Sequence, residues 1–275
     1  MIGQEGLIHN LSEQLKDGNL PSFIILSGNK GCGKKLLVNE MFPNVIPIEP
    51  KVDSIREMIV MANKMSHRTF LIADASGMSQ AAQNAMLKVV EECPNYNRFI
   101  ITVENANDVL TTIRSRGTVF EFEPYTAEQL KQYLRKCNGV TTPNELNITA
   151  DVCETMGDIE LLNSYGITEF YEYVEKVVDN IAVVSGANAF KIGDKINFKD
   201  DDSKYDLKLF LSAFRRVCGI RYTNTHEDDK NAFLTGIITC TKYLSELRIK
   251  GINKQSLFDM WLLDIRKDWM SYGDS

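Results

Sequence analysis

The stretch Phe23-Ile-Ile-Leu-Ser-Gly-Asn-Lys-Gly-Cys-Gly-Lys-Lys35 leaves this chain few folds to choose from. Phe23 to Leu26 are four apolar residues in a row, the pattern of a strand buried on both faces of a parallel sheet. They run into Gly28, Asn29, Lys30, Gly31, Cys32, Gly33 and Lys34, and then into Leu36, Leu37 and Val38, the apolar start of a helix. Strand, glycine-rich loop and helix form the context in which a G-x-x-x-x-G-K match carries meaning. Glycine at 28, 31 and 33 opens backbone angles closed to other residues. Successive N–H groups can then turn inward on phosphate oxygens at a helix N-terminus, while Lys34 supplies a point charge for the terminal phosphates. The hydroxyl expected after that lysine, a ligand for Mg²⁺, is replaced by Lys35. A glycine-rich turn also occurs with no ligand, and the loop residues alone leave that open.

The surrounding pattern extends the same architecture. Leu7, Ile8, Leu11 and Leu15 share one face of a helix over 4–17, which Gly18 ends. The helix after the loop reaches about Met41, Val45 to Ile48 is a second strand, and 51–65 is a helix with Ile55, Met58, Ile59, Ala62 and Met65 at helical spacing. Thr69-Phe-Leu-Ile-Ala-Asp74 is an apolar strand ending in an acid, the way a sheet delivers a carboxylate to a nucleotide's metal. A helix over 80–91, a strand over 98–103, a short helix over 109–114 and a strand over 118–122 complete the alternation. Strands alternating with helices predict a parallel sheet covered on both faces, with any ligand at the carboxyl ends of its strands.

The pattern changes at Glu123-Pro-Tyr125. Thr126 and Gln129 form a capping box, and from there strand signals fade. Short helices are expected over 126–137, 149–156 and 158–165, then longer ones over 168–185, 205–218, 228–248 and 254–270, with 191–204 the most polar linker. The expected division is an α/β nucleotide-binding domain over 1–124, a small all-α lid over 125–167 and an all-α collar over 168–275. Two or three domains also suit 275 residues.

Composition removes several classes of function. The six cysteines at 32, 93, 137, 153, 218 and 240 include no C-x-x-C pair, which argues for reduced cytosolic thiols and against a zinc site. His9, His67 and His226 have no metal or triad spacing, and Asp200-Asp-Asp202 reads as a solvated turn. The Met58, Met61 and Met65 cluster reads as core. There is no apolar run of membrane-spanning length, and Met1-Ile-Gly-Gln-Glu lacks the basic start of a signal peptide. A net charge of −6 does not suggest a nucleic-acid surface, so any basic contact with DNA is local or comes from partner chains.

Several segments together carry a family resemblance: Ile2-Gly-Gln-Glu5, the glycine loop, Val52-Asp-Ser-Ile-Arg-Glu57, Ala82-Gln-Asn-Ala-Met-Leu-Lys-Val-Val-Glu-Glu92 and Thr112-Ile-Arg-Ser-Arg116. In this order and spacing the chain resembles AAA+ clamp-loader subunits, most closely the delta-prime subunit of bacterial DNA polymerase III. The likeness covers 1–122 and extends weakly to Gly157-Asp-Ile-Glu-Leu-Leu-Asn163, similar to the family's second sensor. It implies ATP or ADP as cofactor on residues 28–35 and Asp74. It further implies partner clamp-loader subunits, a sliding clamp, and primer-template DNA met mainly through the complex. The family's Ser-Arg-Cys motif maps onto Ser115 and Arg116, with Gly117 in place of the cysteine. Arg116 is thereby expected to act in trans as an arginine finger on a neighbour's ATP; the plainer reading is a surface ion pair.

Departures from the family are concentrated on hydrolysis. Ala75 follows Asp74 where a glutamate would polarise water, Lys35 replaces the Mg²⁺ ligand, Glu160 stands at the second-sensor arginine and Val103 at the first sensor. Glu91, Glu92 and Glu104 are the remaining carboxylates that could serve. No cysteine cluster follows residue 41, so the family's zinc module is absent, consistent with a compact phage or divergent bacterial type. The expectation is a non-hydrolysing or weakly active clamp-loader subunit that holds one end of a pentamer and whose nucleotide contacts need no Mg²⁺. Its rivals are an active AAA+ ATPase, such as a helicase loader or remodeller, and a scaffold without nucleotide.

Overall fold

In the computed structural model, residues 2–65, 67–92, 96–139, 141–181, 189–198, 204–225, 227–249 and 251–273 are described. Cys93, Asp200 to Asp202 and His226 lie outside them, as do the side chain of Glu92 and part of the proposed 191–204 linker. The strands are β1 (Phe23–Ser27), β2 (Val45–Ile48), β3 (Thr69–Ile72), β4 (Arg98–Val103) and β5 (Thr118–Glu121). They form a parallel sheet in the order β2-β3-β4-β1-β5. Phe23 lies opposite Phe99 and Ile24 opposite Thr118, so β1 is flanked on both sides and its C-terminal loop opens at a switch in strand order.

Side-chain alternation along β1 builds two cores. Phe23 and Ile25 join Phe70, Ile72, Phe99 and Ile101 under α3 (Val52–Lys64), α4 (Gln80–Glu92) and α5 (Thr111–Arg114). Ile24 and Leu26 face the other way, with Leu71, Ile100 and Phe120, under α1 (Glu5–Lys16) and α2 (Lys34–Met41). Both sides of the sheet are covered by helices, which is why its strands read as continuous apolar runs. Met58 is fully buried and Met61 packs against the same cluster, so these methionines are core.

Two compact units divide the chain: Met1–Gln129 with Thr155–Gly157, and Leu130–Glu154 with Asp158–Ser275. The second holds most of α6 (Ala127–Asn138) and α8 (Met156–Tyr165), whose first residues lie in the first unit, together with α7 (Pro143–Val152), α9 (Ile167–Asn180), α10 (Leu207–Asn224), α11 (Glu227–Glu246) and α12 (Lys254–Gly273). Trp261 stands nearly perpendicular to Phe210 and Phe214 at 5.5 and 5.0 Å between ring centres, and all three are buried.

Three details differ from the sequence expectation. The helix placed over 149–156 is α7, which starts at Pro143, because Thr142 and Glu145 form a capping box with proline in the first turn. The strand carrying Asp74 stops at Ile72. The region expected to be all-helical contains a two-residue parallel pairing of Ile196–Asn197 with Tyr205–Asp206, preceded by a 3₁₀ turn at Lys191–Lys195. Asp206 then caps α10, accepting the N–H groups of Lys208 and Leu209 at 2.9 and 3.2 Å.

Candidate functional site

The loop between β1 and α2 takes the shape its glycines permit. Gly31 and Gly33 have φ of 81° and 95°, in the left-handed region, and Gly33 directly precedes the first turn of α2. Asn29 and Lys30 are exposed, whereas Cys32 is buried. Lys34 is only 7% exposed, and its ammonium turns back on the loop. It donates to the carbonyls of Gly28 at 2.5 Å and Asn29 at 2.9 Å, with Cys32 Sγ at 3.7 Å. An ammonium has three donors, and all three are directed into its own loop. A phosphate here would share or displace these contacts. Lys35 is exposed on the first turn of α2 and offers a cation where a metal's hydroxyl ligand would stand. The loop thus presents backbone N–H groups and ammonium groups, which suit a phosphate group.

Contacts inside the first unit hold the loop from outside. The Gly157 N–H donates to Gly31 O at 3.0 Å. A Cβ on Gly31 would sit 2.7 Å from Thr155 Oγ1, and one on Gly157 would sit 2.8 Å from Gly31 Cα. A Cβ on Gly28 would meet Phe122 Cβ at 2.7 Å. Tyr125 donates its hydroxyl to Cys32 O at 2.7 Å, and burial is the main reason its pKa is pushed up to about 12. Burial likewise raises the Cys32 thiol, against the opposing charge of Lys34. Gln4 is 3% exposed and pairs both ends of its amide with the Glu123 backbone: Nε2 donates to O at 2.8 Å, and Oε1 accepts from N–H at 3.1 Å.

Asp74 is exposed and has a left-handed backbone with φ of 54°. Its N–H donates to Thr102 Oγ1 at 3.0 Å, so a hydroxyl does stand at the end of β4, one residue before Val103. Ala75 is fully buried in the apolar cluster between the sheet and α3 to α5. Glu160 accepts from the Tyr133 hydroxyl at 2.6 Å in the second unit. Glu104 donates its backbone N–H to Ser76 Oγ at 3.0 Å.

Ser115 and Arg116 follow α5 and are both exposed. Ser115 Oγ donates to Thr112 O at 3.1 Å. One terminal nitrogen of Arg116 donates to Thr112 O at 2.9 Å, and the other lies 2.7 Å from Glu91 Oε1. Side-chain exposures of 41% for Arg116 and 48% for Glu91 make this a surface pair, worth about 0–1 kcal/mol. Arg114 donates to Asn107, while Gln83 Oε1 accepts the Leu110 N–H at 2.8 Å. Gln83 and Glu91, both on α4, therefore restrain the two ends of the segment that displays the arginine.

The structure thus joins the loop 28–33 to Lys34 and Lys35 on the first turn of α2, and presents Ser115 and Arg116 on the surface after α5, with Arg116 paired to Glu91 of α4. The sequence had left the tethering roles of Gln4, Gln83, Thr102, Tyr125 and Gly157 unassigned. A hydroxyl inside the apolar run Phe99-Ile-Ile-Thr-Val103 was a readable signal for Thr102; the other contacts depend on residues far apart in the chain. Among the described residues no cluster of His, Cys, Asp or Glu could hold a metal ion, and no helix is long and apolar enough to cross a membrane.

A parallel five-stranded sheet flanked by helices, a glycine loop after β1 and a mainly helical remainder together define an AAA+ fold. The comparisons point the same way: residues 45–126 match the family model described as DNA polymerase III, delta subunit. Replication factor C subunit 4 of Schizosaccharomyces pombe is 23% identical over 216 residues, covering 71% of this chain and 61% of the relative. DNA polymerase III subunit tau/gamma of Haemophilus influenzae is 26% identical over 170 residues, covering 49% of this chain and 25% of the relative. The chain thus spans less than two thirds of the length of these relatives. A single-residue variant of Thermotoga maritima RuvB superposes with a TM-score of 0.51 at 14% identity, covering 99% of this chain and 88% of that one, a likeness of fold.

Proposed function

We propose that this chain is a non-hydrolysing subunit of a DNA sliding-clamp loader, active in replication in the cytoplasm and donating Arg116, with Ser115 beside it, to the nucleotide of a neighbouring subunit. The observation that carries this is a contrast between two positions. Where a hydrolytic site needs a glutamate, Ala75 is sealed in the core; where a trans-acting guanidinium must be reachable, Arg116 is exposed. Support for the clamp-loader setting comes from the domain match over 45–126 and from the replication factor C and tau/gamma relatives.

In this role residues 28–34 retain a phosphate-binding loop with Lys34 as its fixed charge, able to hold ATP or ADP without a metal. A bound nucleotide would place negative charge against an ammonium that otherwise donates to two uncharged carbonyls. Residues 125–167 serve as lid and 168–275 as collar, through which the chain joins its partner subunits at one end of a pentamer. The clamp and primer-template DNA are then met by the assembled complex. An active ATPase of the helicase-loader or remodeller kind would need a carboxylate that reaches the γ-phosphate, and Glu91 is already engaged with Arg116. Determining the mass of the intact complex co-purified with this chain tests the proposal: a single copy within a five-subunit assembly is expected, and a ring of identical copies would contradict it.

A further inference from the structure

We propose that Glu91 is a positioning residue for Arg116, holding the guanidinium on its own chain until a more highly charged phosphate group displaces it. The proposal rests on the reading of Arg116 as a trans-acting arginine, and it adds the residue that governs when the arginine is free. Two anchors define the held position: Glu91 Oε1 at 2.7 Å from one terminal nitrogen, and Thr112 O accepting from the other at 2.9 Å. Both anchors sit on elements fixed in the core, since α4 is rooted by the buried Ala82, Met86 and Val89, and α5 by the buried Ile113. Gln83 further fixes the start of α5 through the Leu110 N–H.

The side-chain exposures of 41% and 48% leave the pair open to water and to competing anions. An exposed carboxylate carries one negative charge, whereas a nucleotide's terminal phosphates carry several and offer the geometry that a planar guanidinium fork prefers. Exchange from Glu91 to phosphate is therefore favourable when a neighbour presents its nucleotide. In the absence of that neighbour the exposed pair biases the arginine toward this one position. The backbone carbonyl of Thr112 is uncharged, so it can orient the guanidinium without competing as an anion.

Reaction of the full chain with phenylglyoxal, an arginine-selective reagent, followed by peptide mapping, reads the availability of Arg116 directly. Glu91→Gln keeps the side chain's shape and removes its charge. Arg116 should then react about two- to fivefold faster, the factor that the strength of an exposed pair corresponds to. Arg221, paired with Asp179 at 3.1 Å, should react at an unchanged rate and serves as internal reference. Raising the salt to about 1 M should accelerate Arg116 in the parent chain and leave the Glu91→Gln chain nearly unaffected. Equal Arg116 rates in parent and Glu91→Gln chains, or a parent rate indifferent to salt, would overturn the proposal.

In the complex reconstituted with the partner ATPases, Glu91→Gln should lower the ATP concentration for half-maximal hydrolysis while preserving the maximal rate. A half-saturating concentration that rises or stays unchanged would also overturn it. The reactivity measurement needs no partner. Failure of the trans role, seen as indifference of the complex to Arg116→Ala, is thus separable from failure of the Glu91 contact.

Discussion

Gly157 donates its backbone N–H to the carbonyl of Gly31 across 3.0 Å, and the two glycines approach so closely that neither has room for a side chain. This contact ties the start of α8 to the loop that follows β1. It explains why glycine is needed at 157, where the backbone is helical and φ places no demand on the residue.

The same substitution at two helical glycines should therefore act in opposite directions. Gly157→Ala places a Cβ 2.8 Å from Gly31 Cα and should destabilise by about 1–3 kcal/mol through overpacking. Gly219→Ala, within α10, meets nothing within 4 Å and should stabilise by roughly 0.5–1 kcal/mol through helix propensity. Urea denaturation of both variants decides; equal effects at the two sites would show that the Gly31 contact carries no strain.

If the chain is non-hydrolysing as proposed, repairing one position should not restore hydrolysis. Ala75 is fully buried among apolar residues, so Ala75→Glu should cost roughly 3–5 kcal/mol as an uncompensated buried charge and leave the isolated chain without ATPase above background. Steady-state phosphate release and thermal denaturation measure the two effects. Robust turnover by the parent chain, abolished by Lys34→Ala, would instead identify an active ATPase.

Nucleotide affinity should depend little on Mg²⁺, because Lys35 stands in place of the metal's hydroxyl ligand and Lys34 already supplies a fixed charge. Titration calorimetry with ATP, in Mg²⁺ and in EDTA, should return dissociation constants within a few-fold of each other. A strong Mg²⁺ requirement would assign Lys35 a different role.

The phenol of Tyr125 links the loop to alkaline stability. Burial pushes its pKa up to about 12, so the folded chain keeps the proton where the unfolded chain has lost it. Stability from this group is fully present below the ordinary tyrosine value near 10 and declines as pH rises from there toward 12. Between about pH 9 and 11.5 the urea midpoint of the parent should fall more steeply than that of Tyr125→Phe. Parallel profiles would show that burial of the Tyr125 hydroxyl does not govern alkaline stability.

The sheet was legible because both faces of its strands are apolar. A strand of that kind, followed by Gly28 to Lys34, has few alternative placements. The start of α7 was less apparent from hydrophobic spacing, yet Thr142-Pro-Asn-Glu145 carried its own capping signal. Long-range polar contacts had no local signature. Gln4 meets Glu123 and Gly31 meets Gly157 only after the chain has folded, and neither pairing leaves a periodic trace. Arg116 shows the same boundary: its motif identified the residue, while its partnership with Glu91 required the geometry of α4.

The trans role of Arg116 is the central claim, and hydrolysis by the reconstituted complex with Arg116→Ala tests it most directly. Because the side chain is exposed, the substitution should change stability by no more than about 1 kcal/mol and leave assembly intact. Loss of this guanidinium from a neighbour's transition state should lower clamp- and DNA-stimulated hydrolysis at that site by a factor on the order of 10³, with Arg116→Lys recovering little of it. Lys34→Ala, altering only this chain's own loop, should leave the rate near the parental value. A complex carrying Arg116→Ala that hydrolyses ATP and loads clamps at the parental rate would contradict the account.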